Sequence, residues 1–262
     1  MSKQEIAIIG GGNMGGALVK GLYKSRHIFV CETNAIRARY LKKKYDVTIA
    51  PLKEAIAQAE VVIFAVKPQD IEKVLKEVGP CAGKLFISIA AGLTTKFFEQ
   101  HLGGKAKVIR AMPNMPASIS AGTAGICVGT YAKPADLITA RTVLSTTSTT
   151  IIEVKENMMD AVTAVSGSGP AYVFLFVEQW VAAAKALGLK EKEAKELVHT
   201  TLLGSIKLLE QNKFDVEGLR AKVTSKGGTT QAAMDAFVTG HFNGLMKKAI
   251  LAAKNRSKEL AR

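Results

Sequence analysis

The apolar positions of the chain form short runs in its first half and longer stretches in its second half. In the first half, runs rich in Val, Ile and Phe alternate with amphipathic stretches. Short apolar runs are typical of strands buried on both faces of a parallel sheet, and the stretches between them are typical of helices. We place strands at 6–9, 28–32, 61–66, 85–89 and 108–110. We place helices at 14–24, 35–44, 52–59, 70–78 and 95–101.

This alternation of strands and helices predicts a parallel, doubly wound α/β sheet of the Rossmann type. Two further strands, at 125–128 and 151–154, are predicted around a helix at 135–145. After residue 155 the pattern changes to helices only, at 159–187, 191–211, 216–223, 229–239 and 242–260. We therefore expect a Rossmann-type α/β domain over 1–156 and an all-α domain over 157–262.

The first helix of the second half is apolar nearly all round. Its residues 171–177 read Ala-Tyr-Val-Phe-Leu-Phe-Val, and Gly188 follows its predicted end. A helix without a polar face is either buried or packed against another chain. A small helical domain would leave much of this surface exposed, so we predict a homodimer formed through these helices. We expect no membrane span, because no apolar run reaches the roughly 20 residues that a spanning helix needs.

A glycine pattern follows the first predicted strand, where the chain reads Gly-Gly-Gly-Asn-Met-Gly. In a G-x-G-x-x-G motif the first glycine, Gly10, permits a tight turn, and the second, Gly12, lets the backbone approach a pyrophosphate. The third, Gly15, lets helix and strand pack closely. The free amides at the start of the helix then face the anion. Because the motif stands between a strand and a helix, we predict a dinucleotide site that includes Asn13 and Met14.

Composition narrows the possible partners. The net charge is +14, from 36 basic and 22 acidic residues, and aromatic residues make up 6%. Basic residues do not alternate with aromatic ones, so we predict anionic cofactors and carboxylate substrates, not nucleic acid, as partners.

The scattered cysteines, Cys31, Cys81 and Cys127, fit a reducing cytoplasm. The four histidines show no metal-ligand spacing, so we predict no metal site. The first strand begins close to the N-terminus, and we expect no signal peptide.

The choice of cofactor depends on the end of the second strand. Glu32 stands there, 17 residues after Gly15, where an acidic residue commonly holds a ribose 2′-OH. A carboxylate at this position favours NADH and repels the 2′-phosphate of NADPH. Arg37 and Arg39 follow closely and can hold a phosphate, and Glu32 can equally be a solvated strand end. The sequence therefore leaves NADPH and NADH both open, with Glu32 favouring NADH.

Other strand ends supply further candidate contacts, because open α/β sheets bind ligands at the carboxyl ends of their strands. Pro68 stops the strand before it and places Lys67 at this edge, although Lys67 can equally be a solvent lysine. Small residues after the next strand suit a nicotinamide ribose, and Asn114 can bond cofactor or substrate. The candidate cofactor contacts at these ends are Ala65, Val66, Lys67, Pro68, Ala91, Gly92, Met112 and Asn114.

Two glycine-rich segments lie in the helical half. Residues 166–170, Ser-Gly-Ser-Gly-Pro, should break or kink the long helix. Residues 224–230, Thr-Ser-Lys-Gly-Gly-Thr-Thr, precede a predicted helix, and a glycine turn capped by Thr229 would explain much of this pattern. The gathered amides and hydroxyls also predict a carboxylate site at the helix N-terminus. The residues that supply them are Ser225, Gly227, Gly228, Thr229 and Thr230.

Taken in order, these motifs resemble those of the pyrroline-5-carboxylate reductases, which catalyse the last step of proline synthesis. The resemblance covers essentially the whole chain. It rests on the segments 10–15, 65–68, 110–116, 166–172 and 224–230. It implies a Rossmann domain, a helical dimerisation domain and a substrate site built where two subunits meet. The residues that it places at the pyrroline or proline pocket are Ser225, Gly227, Gly228 and Thr230.

Two positions depart from the family pattern. Lys226 stands where the family usually has proline, so the entry to this loop is predicted to be more basic and less rigid. Glu32 occupies a position that is often small or hydroxylic in NADP-using members. The second departure again leaves the cofactor open.

The implied reaction, hydride transfer to a cyclic imine, needs no strong side-chain acid. An imine that arrives protonated is already electrophilic, and the product amine keeps that proton. Neither glycine-rich segment contains His, Asp or Glu, so we expect the protein to act mainly by positioning the reactants. The amides of 227–229 and the Ser225 hydroxyl would hold the carboxylate. The Thr230 hydroxyl would bond the ring nitrogen, or would serve only the helix N-terminus.

Three rival functions share parts of this pattern. A β-hydroxyacid dehydrogenase needs a lysine and an asparagine, which would fall at Val173 and Phe176, so this function is disfavoured. Another imine reductase with the same two kinds of domain would act on a different substrate. A non-catalytic NAD(P)-binding protein would bind the cofactor without oxidising it.

Overall fold

The computed structural model describes residues 4–260, and an eight-stranded sheet forms the first part of the chain. Each strand is short, as the apolar runs predict. The strands are β1 (Glu5–Ile9), β2 (His27–Cys31), β3 (Thr48–Ile49), β4 (Val61–Phe64), β5 (Leu85–Ser88), β6 (Lys107–Pro113), β7 (Gly122–Val128) and β8 (Ser148–Glu153).

The sheet order is β3-β2-β1-β4-β5-β6-β7-β8. Strands β1 to β6 all run parallel to one another. Strand order reverses between β1 and β4, which are neighbours in the sheet although two strands separate them in sequence. Such a switch point opens a crevice at the carboxyl ends of the strands, where doubly wound folds bind ligands. The predicted Rossmann-type architecture is confirmed.

Two strands differ from the sequence-based expectation. The two-residue strand β3 pairs with β2 and is too short to leave an apolar run in the sequence. β7 pairs with β6 in the antiparallel direction. The connection between them holds only a 3₁₀ turn, Met115–Ile119, which is too short for the crossover that a parallel pair needs. β8 then returns parallel to β7.

Helices cover both faces of the sheet, and the inner strands are buried on each face, whereas the edge strand β8 is largely exposed. In β1, Ile6 and Ile8 enter one hydrophobic cluster, while Ala7 and Ile9 enter the other, and all four are at most 2% exposed. This double burial explains why the strands read as continuous apolar runs. The helices of this part are α1 (Asn13–Leu22), α2 (Ala35–Tyr45), α3 (Leu52–Gln58), α4 (Pro68–Val78), α5 (Thr95–His101) and α6 (Pro134–Leu144).

The rest of the chain is helical, and the long helix predicted over 159–187 is interrupted. A π-helical turn, Thr163–Gly167, separates its two parts, and the Ser168 amide donates to the Thr163 carbonyl over 2.8 Å. Pro170 follows and has no amide hydrogen to continue a regular helix. The expected break is confirmed. The helices are α7 (Met159–Val162), α8 (Gly169–Ala186), α9 (Glu191–Gln211), α10 (Val216–Lys222), α11 (Thr229–Thr239) and α12 (Phe242–Leu260).

The described chain divides into two compact units. The first comprises the residues up to Pro170 together with those from Ala252 onward, and it contains the sheet. The second, Ala171–Leu251, is entirely helical. We call these the sheet unit and the helical unit.

One helical segment meets a length and hydropathy criterion that a count of consecutive apolar residues does not detect. Glu156–Ala186 is long and apolar enough, by length and composition, to cross a membrane, with a mean hydropathy of 1.2 and only 6% of its apolar window buried. A count of consecutive apolar residues misses this segment, because serines, glycines and a few charged residues interrupt it. Large apolar side chains of α8 are exposed. They are Val173, Phe174, Leu175, Phe176 and Trp180.

Candidate cofactor and substrate sites

The glycine loop lies at the switch point of the sheet. The Gly10 amide donates to the Cys31 carbonyl over 2.8 Å, at the end of β2. On the other side, the Ala65 amide donates to the Ile9 carbonyl over 2.8 Å and extends the pairing beyond β4. The loop therefore stands between the carboxyl ends of β2 and β4, at the sheet edge where the sequence predicts a ligand.

Two of the motif glycines are required by the protein's own packing. Gly10 has a φ of +100°, and a Cβ there would lie 2.8 Å from the Ala65 carbonyl oxygen and 2.9 Å from a Val66 methyl group. A Cβ on Gly15 would collide with the Gly10 carbonyl oxygen. Gly15 thus lets α1 pack against the turn, as its place in the motif predicts.

The remaining motif glycine faces open space. A Cβ on Gly12 would meet no protein atom within 4 Å, and no side chain caps the first amides of α1. The first amides of a helix have no partner within the helix. The Gly12, Asn13 and Met14 amides are therefore available to an anion. Open space at Gly12 together with these amides fits a dinucleotide pyrophosphate.

Glu32 ties this loop to the start of α2. Its carboxylate accepts the Gly11 amide and the Asn34 amide, each over 2.7 Å. Asn34 in turn caps α2 by accepting the Ile36 and Arg37 amides. Both carboxylate oxygens of Glu32 are thus engaged with backbone, although each retains a further lone pair for a ligand. Its contact with a ribose stays a prediction.

The other candidate cofactor residues lie at the ends of β4 and β5. Ala65 and Val66 pack beside Gly10, as described above. Lys67 is exposed and occupies the N-cap position of α4 without a side-chain capping bond, and Pro68 is the first residue of that helix. After β5, Ala91 is half-buried and Gly92 takes a φ of +81° in the turn.

Asn114 uses both ends of its side-chain amide within the sheet unit. Its Nδ2 donates to the Ser166 carbonyl over 3.2 Å, and its Oδ1 accepts the Thr123 amide over 3.0 Å. Close by, a Cβ on Gly167 would lie 2.7 Å from the Met112 methyl group. Met112 and Asn114 therefore hold the π-helical turn against β6 and β7, an arrangement that sequence spacing does not reveal.

Several predicted cofactor contacts line one groove of the sheet unit. Asn13, Met14 and Asn114 border a groove of about 1130 Å³, which also reaches Arg37 and Gly167. Further basic and tyrosine side chains border it along α1 and α2. They are Lys20, Lys24, Lys44, Tyr23, Tyr40 and Tyr45. Ala65, Lys67 and Gly92 do not line this groove.

The segment 224–230 forms an uncapped helix start in the helical unit. Gly228, not Thr229, is the N-cap of α11, and no side chain caps the helix. The capping role considered for Thr229 is therefore wrong: Thr229 is the first helical residue, where its hydroxyl is not in the capping position. Gly227 has a φ of +71°, and a Cβ on Gly228 would collide with the Ser225 hydroxyl. The Gly228 amide donates to the Ser225 carbonyl over 3.0 Å, so this predicted donor is not available to a ligand. The small residues leave the following amides, which begin with Thr229, open.

Two hydroxyls flank these amides. Within residues 4–260, neither the Ser225 nor the Thr230 hydroxyl has a hydrogen-bond partner, so the structure shows no local structural bond for Thr230. Thr224 is different, since its hydroxyl donates to the Arg220 carbonyl over 2.7 Å. A groove of about 780 Å³ in the same unit is bordered by Thr224, the first residue of this segment, and by Gln231, which follows it.

An ionic network around the buried Arg110 supports β6, the strand that precedes Asn114. The Glu156 carboxylate accepts the Thr95 amide over 2.7 Å and the Thr95 hydroxyl over 2.8 Å. It also lies 3.5 Å from the Arg110 guanidinium, whose side chain is 5% exposed. Burial raises the pKa of the Cys127 thiol to about 12, and Glu156 adds to this effect. Cys127 therefore stays a protonated core thiol.

Among residues 4–260, no group of three or more His, Cys, Asp or Glu side chains is arranged to hold a metal ion. Both helix starts described above, at Gly12 and at Gly228, suit anionic groups.

Comparison with known proteins gives two family matches. The family model described as pyrroline-5-carboxylate reductase dimerisation matches residues 156–260. A second, described as NADP oxidoreductase coenzyme F420-dependent, matches residues 5–92. The first covers the helical part with the 224–230 segment, and the second covers the glycine loop and Glu32.

Similar proteins cover the whole chain. A pyrroline-5-carboxylate reductase from Mycobacterium tuberculosis is 36% identical over 97% of this chain and 96% of its own length. The structure of one from Coxiella burnetii has a TM-score of 0.90 at 34% identity and covers 100% of both chains. A Plasmodium falciparum pyrroline carboxylate reductase with NADP bound has a TM-score of 0.89 at 28% identity and also covers 100% of both chains. The chain belongs to the pyrroline-5-carboxylate reductase family.

Proposed function

We propose that the protein reduces 1-pyrroline-5-carboxylate to L-proline with NAD(P)H, the last step of proline synthesis. The observation that carries this proposal is the uncapped start of α11, where the Ser225 and Thr230 hydroxyls flank free amides. The site offers donors for a carboxylate and no acid or base for an alcohol. Family membership supports the same substrate class, since the relatives above carry this name.

Different groups of this segment bind different parts of the substrate. The Gly227 and Thr229 amides and the Ser225 hydroxyl hold the substrate carboxylate, as helix N-termini hold anions. The Thr230 hydroxyl bonds the ring nitrogen and orients the imine. The bound cofactor supplies the hydride to the imine carbon, and the nitrogen retains the proton with which the imine arrived. Catalysis then comes mainly from orientation.

Replacing Thr230 tests this division. Thr230→Ala is expected to lower kcat/KM by about 10²-fold, because a small misplacement of the reacting imine can cost this much. Thr230→Ser, which keeps the hydroxyl, should recover most of the activity. Thr239→Ala, the same change at the other end of α11, is the matched control and should leave activity unchanged. Unchanged kinetics in Thr230→Ala would show that its hydroxyl has no role in the reaction.

We also propose that NADH is the preferred cofactor. The Glu32 carboxylate stands at the end of β2, where it would repel a 2′-phosphate and can still accept a ribose hydroxyl. On the cofactor side, the proposed contacts are the glycine loop and the strand-end residues. They are Gly10, Gly12, Asn13, Met14, Gly15, Glu32, Ala65, Val66, Lys67, Pro68, Ala91, Gly92, Met112 and Asn114.

The ratio of activities with the two cofactors tests the role of Glu32. Glu32→Ser is expected to raise the NADPH-to-NADH ratio of kcat/KM by about tenfold, equivalent to 1.4 kcal/mol. Glu32→Gln keeps the size without the charge and should shift the ratio in the same direction. The ratio is the informative quantity, because loss of the bond to Gly11 weakens both cofactors together. A wild type that strongly prefers NADPH would contradict this proposal.

The assembly is proposed to be a homodimer, or a higher oligomer of dimers, formed through the helical half. The exposed apolar side chains of α8 and the dimerisation family match support this proposal. That pairing would also cover the apolar segment Glu156–Ala186, so we propose neither a membrane nor a nucleic-acid partner.

The boundary between the dinucleotide-binding domain and the helical domain is proposed at 156/157, next to the start of the family match. The scattered free cysteines support a reducing cytoplasm.

A further inference from the structure

Arg37, on α2, reaches across to the glycine loop and binds two successive carbonyls. Its Nε donates to the Gly11 carbonyl over 2.7 Å, and one of its terminal nitrogens donates to the Gly12 carbonyl over 3.1 Å. Within residues 4–260, no carboxylate forms an ion pair with this guanidinium. Two of its five N–H donors thus bind the backbone of the loop.

The position of these carbonyls determines where the neighbouring amides point. In a trans peptide group the C=O and the following N–H point in opposite directions. Holding the Gly11 carbonyl therefore turns the Gly12 amide away from Arg37, and holding the Gly12 carbonyl does the same for the Asn13 amide. These are two of the amides that are open to an anion at the start of α1.

Glu32 completes the constraint from the other side. Its carboxylate accepts the Gly11 amide over 2.7 Å. Three successive peptide groups of the loop are thus held by charged side chains, one through its amide and two through their carbonyls. A donor on a carbonyl also polarises its peptide group and strengthens the amide of that group as a donor.

A fourth glycine makes room for the guanidinium. A Cβ on Gly16 would collide with the terminal nitrogen of Arg37 that binds Gly12, and it would lie 3.5 Å from Arg37 Cζ. Gly16 is not one of the three glycines of the dinucleotide motif. Its missing side chain is explained by the passage of Arg37, which is an observation independent of the hydrogen bonds.

We propose that Arg37 is a positioning residue for the cofactor pyrophosphate, acting through the Gly11 and Gly12 carbonyls. This assignment differs from direct binding of a 2′-phosphate, the role that its charge and sequence position suggest. It rests on the proposed function in one respect, namely that the cofactor binds at the glycine loop. The two roles predict different results, because NADH has the pyrophosphate but lacks the 2′-phosphate.

Calorimetric titration of the full-length protein with NADH and with NADPH tests the proposal. Arg37→Met removes the hydrogen-bond donors and keeps much of the length of the side chain. Because charge-assisted hydrogen bonds are lost, we expect the Kd to rise about tenfold or more for both cofactors. Gly16→Ala should produce the same rise, because it displaces the guanidinium while Arg37 is still present. Lys43→Met, an exposed charge change on the same helix, is the control and should leave both Kd values unchanged.

Two results would overturn the proposal. A rise in Kd for NADPH alone would assign Arg37 to the 2′-phosphate. Equal Kd values in Arg37→Met and Lys43→Met would show that the guanidinium contributes nothing to cofactor binding. Unfolding midpoints measured on the same samples show that the titrated variants are folded. Failure of the proposed function would be distinct: the Kd values would follow the prediction while pyrroline-5-carboxylate caused no NADH oxidation.

Discussion

At the scale of single residues, the charged side chains near the proposed cofactor site bind backbone groups. Glu32 accepts two amides and Arg37 donates to two carbonyls, so both shape the glycine loop before any ligand binds. Sequence reasoning predicted that a carboxylate ends β2, because strand and motif spacing determine that position. It could not predict the partners of that carboxylate, since they depend on how loop and helix meet in space.

The ion pair between buried Arg110 and partly exposed Glu156 gives a stability prediction. Glu156→Ala is expected to lower the free energy of unfolding by about 3 kcal/mol, because it leaves a buried guanidinium without its partner. Glu153→Ala removes the partner of Arg141 in an exposed pair and should cost less than about 1 kcal/mol. Urea unfolding of both variants measures the difference. An equal loss in the free energy of unfolding in the two variants would contradict the prediction that burial of Arg110 sets the cost.

At the scale of elements, the sequence pattern was sufficient for strands buried on both faces and for the helices between them. It was insufficient where pairing partners decide the structure. The direction of β7 depends on the short connection after β6. The two-residue strand β3 is defined by its pairing with the edge of β2. The π-helical turn could be located from its glycines and Pro170, but its bond to Asn114 could not.

The glycine loop is expected to serve packing at Gly15 and cofactor binding at Gly12, and substitutions can separate these two roles. Gly15→Ala places a Cβ against the Gly10 carbonyl and should lower the free energy of unfolding by about 1–3 kcal/mol. Gly12→Ala meets no protein atom and should stay within about 1 kcal/mol of wild type, while weakening NADH binding at least tenfold. Unfolding and NADH titration of both variants provide the comparison. Wild-type affinity in Gly12→Ala would contradict the placement of the pyrophosphate.

At the scale of the whole molecule, the exposed apolar surface of α8 is the main feature that a single chain does not explain. Phe174 is 56% exposed, and its neighbours Val173 and Leu175 are similarly open. Exposed patches of this kind mark protein interfaces. The family match over 156–260 makes a second copy of this chain the proposed occupant.

A charge on this surface tests the assembly. Phe174→Glu is expected to shift the protein from dimer to monomer, because an unpaired carboxylate cannot be buried in an apolar interface without a large cost. Ile138→Glu changes a side chain of the sheet unit that is 65% exposed and serves as the control. Light scattering after size-exclusion chromatography measures both masses. A dimer that survives in Phe174→Glu would place the interface elsewhere.

The most direct test of the central claim is turnover of the wild-type protein with 1-pyrroline-5-carboxylate and NADH. NADH oxidation is followed by absorbance, and proline is quantified in the same samples. We predict that the two change in equal amounts and that Gly12→Ala loses both signals. Binding of NADH without its oxidation in the presence of this substrate would contradict the account and would favour a cofactor-binding protein without this catalytic activity.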